Sequence, residues 1–184
     1  MRPVARLRRA YFDCRFGQLH VHQAMPPGGG FDEATALLCI PGTGGAGALF
    51  HALLGPVGAD RSIYAPDLPG YGQSDAAGHP AGVEQYALAL LDLLDSLRQR
   101  RVDVLAHGVG ADTAIALAKL RPGTLVRRLV FSAPPPGSFE AARQLGIECH
   151  ELPLAGPAEE RLTAVSVSAQ FDDLITLLGS GKQV

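Results

Sequence analysis

Apolar residues along this chain recur with two different periods. Tyr11–Arg15 and Gln18–Gln23 alternate apolar with polar positions and are split by Phe16-Gly17, which predicts a β-hairpin. Pro26-Pro27-Gly28-Gly29-Gly30 reads as a loop. Ala36–Ile40 is an unbroken apolar run, the pattern of a parallel strand buried on both faces. A glycine-rich turn follows, then a short apolar helix through Phe50, Leu53 and Leu54, then a strand over Ser62–Ala65 ending in Pro66-Asp67. Over Val83–Arg100, residues Val83, Tyr86, Leu90, Leu93, Leu94 and Leu97 share one helical face. Val102–Ala106 predicts a strand, and Gly110–Leu120 a helix closed by Arg121-Pro122-Gly123. Arg128–Phe131 is the next strand. Beyond it, Ser138 caps a short helix to Leu145, Ile147–Leu152 reads as one more strand, and Glu160–Leu178 as a closing helix.

Strands that alternate with helices in this way imply right-handed βαβ units, and hence an α/β fold. The expected architecture is a mostly parallel sheet of about six to eight strands flanked by helices. Ligands of such sheets bind beyond the carboxyl ends of the strands. Chemistry is therefore expected in the loops Pro41–Gly47, Asp67–Asp75 and His107–Ala111. The 184 residues contain no internal repeat and suit a single domain over 1–184.

Composition narrows the function classes. Hydrophobic residues make up 47% of the chain, and the formal net charge is −2. Neither value suggests a nucleic-acid or anionic-membrane partner. No apolar run reaches the roughly 18 residues of a membrane helix. Arg2, Arg6, Arg8 and Arg9 are not followed by an apolar segment, so the start reads as a solvated basic arm of a cytoplasmic protein. Cys14, Cys39 and Cys149 are distant and odd in number, which suits free thiols in a reducing compartment, with Cys39 and Cys149 in the core.

Three stretches resemble a known family. Asp67-Leu68-Pro69-Gly70-Tyr71-Gly72-Gln73-Ser74-Asp75 is close to a D-x-x-G-x-G-x-S-D loop. Val102–Gly110 aligns with a strand and nucleophile elbow, and Leu129–Pro134 with the strand after it. Together they resemble the α/β-hydrolase superfamily, in its esterase, epoxide-hydrolase and haloperoxidase-like branch. The likeness is good over 10–135 and poor over 136–184. It implies a minimal version of the fold, with no cap between Pro136 and Ile147, and pocket loops that use Gly42, Gly44, Asp67, Gly70, Gly72 and Ser74.

The same resemblance places the elbow's nucleophile at Gly108. The flanking residues Ala106 and Gly110 are small, as a sharp strand-to-helix turn requires. Glycine tolerates the positive φ expected there but supplies no hydroxyl, thiol or carboxylate. Proline stands at position 157, where the resemblance expects the base histidine, in Leu152-Pro153-Leu154-Ala155-Gly156-Pro157. In a second register Ile147–Leu152 is the acid-bearing strand, with Glu151 near its end; neither register leaves a histidine downstream. An oxyanion hole would use the backbone N–H groups of Thr43 and Val109.

Other patterns compete. Gly42-Thr43-Gly44-Gly45-Ala46-Gly47 matches a dinucleotide-binding G-x-G-x-x-G, but two strands precede it and the hydrolase loop already accounts for Asp67. The plain reading is that these glycines let a loop turn. His107 either packs beside the elbow or substitutes as its base, and His150, next to Glu151, is a second candidate. Asp112 suits a helix terminus better than a nucleophile. His20 and His22 share a strand face, but no third ligand is evident, so neither metal nor cofactor is expected. His51 and His79 read as surface residues. The expected function is that of a catalytically inactive relative without the Ser-His-Asp triad, binding a small molecule or protein. The alternative is an enzyme of altered chemistry acting on a small ester or carbonyl compound, using the oxyanion hole and a stand-in base. Uncovered apolar helix faces lead to the expectation of a homodimer.

Overall fold

The computed structural model describes residues 4–28, 34–42, 44–78, 81–152, 174 and 176–178. The strands are β1 (Arg6–Cys14), β2 (Gly17–Met25), β3 (Leu37–Ile40), β4 (Ile63–Pro66), β5 (Val102–His107), β6 (Val126–Ser132) and β7 (Glu148–Glu151). The helices are α1 (His51–Gly58), α2 (Val83–Ser96), α3 (Gly110–Leu120) and α4 (Ser138–Gln144), and a single 3-10 turn over Gly47–Phe50 leads into α1. The strands form one sheet in the order β1-β2-β4-β3-β5-β6-β7. β1 and β2 are antiparallel, β2 is antiparallel to β4, and the pairs from β4 to β7 are parallel. The α/β class and the mostly parallel sheet are as the periodicity predicts.

Strand alternation divides the core in two. Leu38, Ile40, Val104, Ala106, Leu129 and Phe131 face one way, into a cluster completed by α2 and α3. Leu37, Cys39, Leu105 and Val130 face the other, against Leu53, Leu54 and Val57 of α1 and against Leu174 and Leu178. Cys14, Cys39 and Cys149 are all free thiols. Cys39 is fully buried in central β3, whereas Cys14 and Cys149 are only partly covered. Arg127 and Arg128 of β6 donate to the carbonyls of Leu178 and Leu177, and Arg127 also pairs with fully buried Asp103 of β5. The expected closing helix lies mostly outside the described residues; of it only 174 and 176–178 are described, and these are helical.

Two expectations change. The basic start is no free arm, because β1 begins at Arg6 and pairs Arg6 with Met25 and Arg9 with His22. β1 is an edge strand, bonded on one side, so its arginines stay exposed and do not oppose pairing. α2 stops at Ser96 and does not reach Arg100. Arg98 takes a left-handed backbone with φ 55°, and the Gln99 N–H returns to the Leu94 carbonyl at 2.8 Å, a helix-ending turn. The span between β6 and β7 holds α4 alone. Among the described residues no helix is long and apolar enough to cross a membrane.

Phe131 is fully buried and meets Phe139 edge to face, with ring centroids 5.1 Å apart. Phe131→Ala is expected to destabilise the protein by about 3–5 kcal/mol. The partly exposed Val83→Ala should cost no more than about 0.5 kcal/mol. Urea denaturation compares the two; equal midpoints would contradict this core.

Candidate functional site

β5 runs straight into α3 through Gly108-Val109. Gly108 has φ 53°, the left-handed conformation that glycine reaches without a Cβ penalty. Its N–H donates to the Ser132 carbonyl at 2.8 Å, and its own carbonyl accepts from Ala111 at 3.1 Å. A Cβ built on Gly108 would meet nothing within 4 Å. The sharp strand-to-helix turn is therefore present, and no described atom lies within 4 Å of where a side chain at 108 would begin.

Close backbone packing fixes this turn. A Cβ on Gly110 would lie 2.6 Å from the Pro41 carbonyl oxygen and 2.7 Å from that of Ile40. Only glycine lets the end of β3 lie against the start of α3. Gly42 approaches equally closely, since its Cβ would come 2.6 Å from the His107 carbonyl oxygen and 3.4 Å from the Val109 nitrogen. The loop after β3 thus lies beside the elbow. Val109 is 52% exposed at the α3 N-terminus. Thr43, the other expected oxyanion donor, and Pro157 lie outside the described residues, as does His79.

His107 ends β5 and is half-buried. Its Nδ1 lies 3.1 Å from the hydroxyl of fully buried Ser132. Burial pushes its pKa below the ordinary 6.5, so the ring stays neutral near pH 7 and can accept a proton. Ser132 thus holds both the elbow backbone and the imidazole beside it. His150 lies elsewhere: on β7, the last of the described strands in the sheet, it pairs in register with Val130, and its Nε2 contacts Glu148 Oε1 at 2.7 Å. That contact and Arg128 hold the Glu148 carboxyl below its usual range. β7 joins the sheet directly beside β6, with exposed Glu151 at its end. Asp112 is exposed in the first turn of α3, a helix-terminus position.

The loop after β4 is built on Asp67. Its buried carboxylate accepts from the Gly47 N–H at 2.7 Å and the Gln73 N–H at 2.9 Å, and contacts His20 Nδ1 at 2.9 Å. Burial alone would raise its pKa, but the Gln73 N–H, the His20 ring and the Gly47 N–H outweigh burial and lower it. Ser74 Oγ donates to the Asp67 carbonyl at 2.7 Å and accepts from the His20 N–H at 2.9 Å. Gly44, Gly70 and Gly72 turn the two loops at positive φ.

What joins this loop to α1 is not legible in the sequence. His22 Nε2 lies 3.7 Å from Asp67 Oδ1, and His22 Nδ1 lies 2.8 Å from His51 Nε2. His51 is exposed, as expected, but it has a buried partner. Burial, with His51 and His20 nearby, pushes the His22 pKa down to about 4. The i, i+2 spacing of His20 and His22 was the available signal. That Asp67 completes the group follows from β2 lying beside β4.

Comparison with known proteins agrees with this geometry. The chain is 33% identical over 144 residues to a putative carbamate hydrolase, RutD, of Stutzerimonas stutzeri, covering 75% of this chain and 51% of that protein. It is 32% identical over 98 residues to the uncharacterized protein Rv2715 of Mycobacterium tuberculosis, covering 53% of this chain and 29% of the other. The chain thus spans about half or less of the length of these relatives. Among solved structures it resembles the N-acyl homoserine lactonase AidH, with TM-score 0.62 and 26% identity over 76% of this chain and 49% of that one. A serine-to-glycine mutant of AidH, complexed with N-hexanoyl homoserine lactone, matches at TM-score 0.61 and 27% identity over 74% of this chain and 49% of that one. A family model described as the alpha/beta hydrolase fold matches residues 35–148. With its strand order, its strand-to-helix elbow and its Asp67 loop, the chain belongs to the alpha/beta hydrolase fold family.

Proposed function

We propose that this protein binds a small carbonyl compound, an ester or lactone, at the elbow and does not turn it over by nucleophilic catalysis. One observation supports this above the others: Gly108 keeps the elbow conformation at φ 53° and leaves open the volume where a side chain would project. Acyl transfer through an enzyme-bound intermediate needs an activated hydroxyl, thiol or carboxylate, and glycine has none. What remains is suited to holding a carbonyl. The Val109 N–H stands at the positive end of α3, and the Gly42 loop lies against it. The AidH serine-to-glycine mutant complexed with a lactone supports the idea that this fold holds an ester ring with glycine in place of a serine.

A second reading has one specific observation in its favour. His107 is neutral, half-buried and adjacent to Gly108, with its Nδ1 at Ser132. A water activated by that imidazole could attack a carbonyl held at the elbow, giving slow hydrolysis without a covalent intermediate.

Two measurements separate the readings. The purified protein is expected to hydrolyse p-nitrophenyl acetate at the background rate and to resist fluorophosphonate labelling, while N-acyl homoserine lactones raise its melting temperature. A stoichiometric serine adduct would overturn the non-nucleophilic reading. Turnover abolished by His107→Ala would favour the water-attack reading.

Gly108→Ser is expected to fold, because a Cβ there meets no atom, at a cost of about 1–2 kcal/mol for left-handed backbone. It should gain little esterase activity, since His107, the histidine beside it, rests on the Ser132 hydroxyl and not on a carboxylate. Gly110→Ala, by contrast, should fail to give stable protein, because its methyl group would strike the carbonyls of Ile40 and Pro41. Thermal melts compare the two variants, and equal stability would refute the packing.

A further inference from the structure

We propose that His20, His22 and Asp67 form a binding site for a divalent transition-metal cation of the Zn2+ class. The site is separate from the elbow and does not depend on the reading given for it. The three donors come from adjacent strands: His20 and His22 from one face of β2, and Asp67 from the end of β4. One donor atom from each lies within 4.8 Å of the other two. All three residues are buried, and two imidazoles with one carboxylate suit Zn2+, Co2+ or Ni2+ better than Mg2+ or Ca2+.

The contacts fit a metal with small adjustments. Ligands about 2.0–2.1 Å from a tetrahedral ion stand roughly 3.3 Å apart. The His20 Nδ1 contact to Asp67 Oδ2, now 2.9 Å, would lengthen slightly, and the His22 Nε2 contact to the other oxygen, Oδ1, now 3.7 Å, would shorten slightly, so the carboxylate presents one oxygen to each histidine. His51 already does what an outer-shell residue does. Its Nε2 lies 2.8 Å from His22 Nδ1, which turns His22 Nε2 towards Asp67. His20 Nε2 is buried and has no hydrogen-bond partner among the described residues. Asp67 alone therefore holds the His20 tautomer, and an ion could take over Nδ1. A cavity of about 400 Å³, lined by Leu7, Arg8, Arg9, His22, His51 and Leu54, reaches the His22 edge from outside. Arg9 stands opposite His22 and repels a cation, but it is exposed and screened by water, whereas the Asp67 carboxylate is buried and screened far less.

The test uses the full chain without an affinity tag, stripped with EDTA and desalted. Calorimetric titration with Zn2+ is expected to show one site per chain, and Zn2+ to raise the melting temperature. Co2+ should give the intense visible absorption of a low-coordinate nitrogen and oxygen site. Asp67 is left intact because it anchors its loop. His22→Gln should weaken Zn2+ binding by about 100-fold or more, and His51→Ala by about 10–100-fold, with His150→Ala unchanged. Circular dichroism verifies folding; if His22→Gln does not fold, the exposed His51→Ala decides. Absence of a site in the native chain, or undiminished affinity in the folded histidine variants, would overturn the proposal and leave a plain hydrogen-bonded cluster.

Discussion

The Asp67 carboxylate is the contact on which the loops at the carboxyl edge of the sheet depend. It sits where β4 ends and accepts from the N–H groups of Gly47 and Gln73, while His20 approaches from β2. Three chain segments far apart in sequence thereby converge on two oxygen atoms. Burying an unpaired carboxylate costs several kcal/mol, so the partners are a condition of its burial. The signature loop, the lead-in to α1 and the antiparallel strand are in this sense one unit.

Beside it, the elbow is held by main-chain contacts. Gly108 bonds to Ser132, and the Gly110 and Gly42 backbones lie on the carbonyls of Ile40, Pro41 and His107. None of these contacts involves the side chain that a nucleophile would contribute. The turn therefore does not require a nucleophile's side chain, and fold and nucleophilic chemistry are separable properties of this architecture.

Much of this was legible from the sequence. Apolar runs such as Ala36–Ile40 and the helical stripe from Val83 mark elements whose burial is set locally by period, and the elbow's small flanks state their own geometry. What escaped is tertiary. Arginines at an edge strand look like those of a solvated arm, so the pattern marks a strand only from Tyr11; pairing with β2 extends it back to Arg6. The end of α2 depended on a left-handed arginine, which no propensity favours. The link from His22 to His51 and Asp67 requires β2 to sit beside β4 with α1 across that face, an arrangement set by sheet order and not by spacing.

Cys39 has a different kind of consequence. It is fully enclosed in central β3, and burial raises its thiol pKa far above the ordinary value, so no thiolate is exposed to reagents in the folded state. Cys14 and Cys149 are only partly covered. Modification of Cys39 must wait for the middle of the sheet to come apart, so its alkylation rate is a clock for global opening, while the other two thiols record local fluctuation. The three cysteines thus form an internal gauge of how cooperatively this sheet is held together.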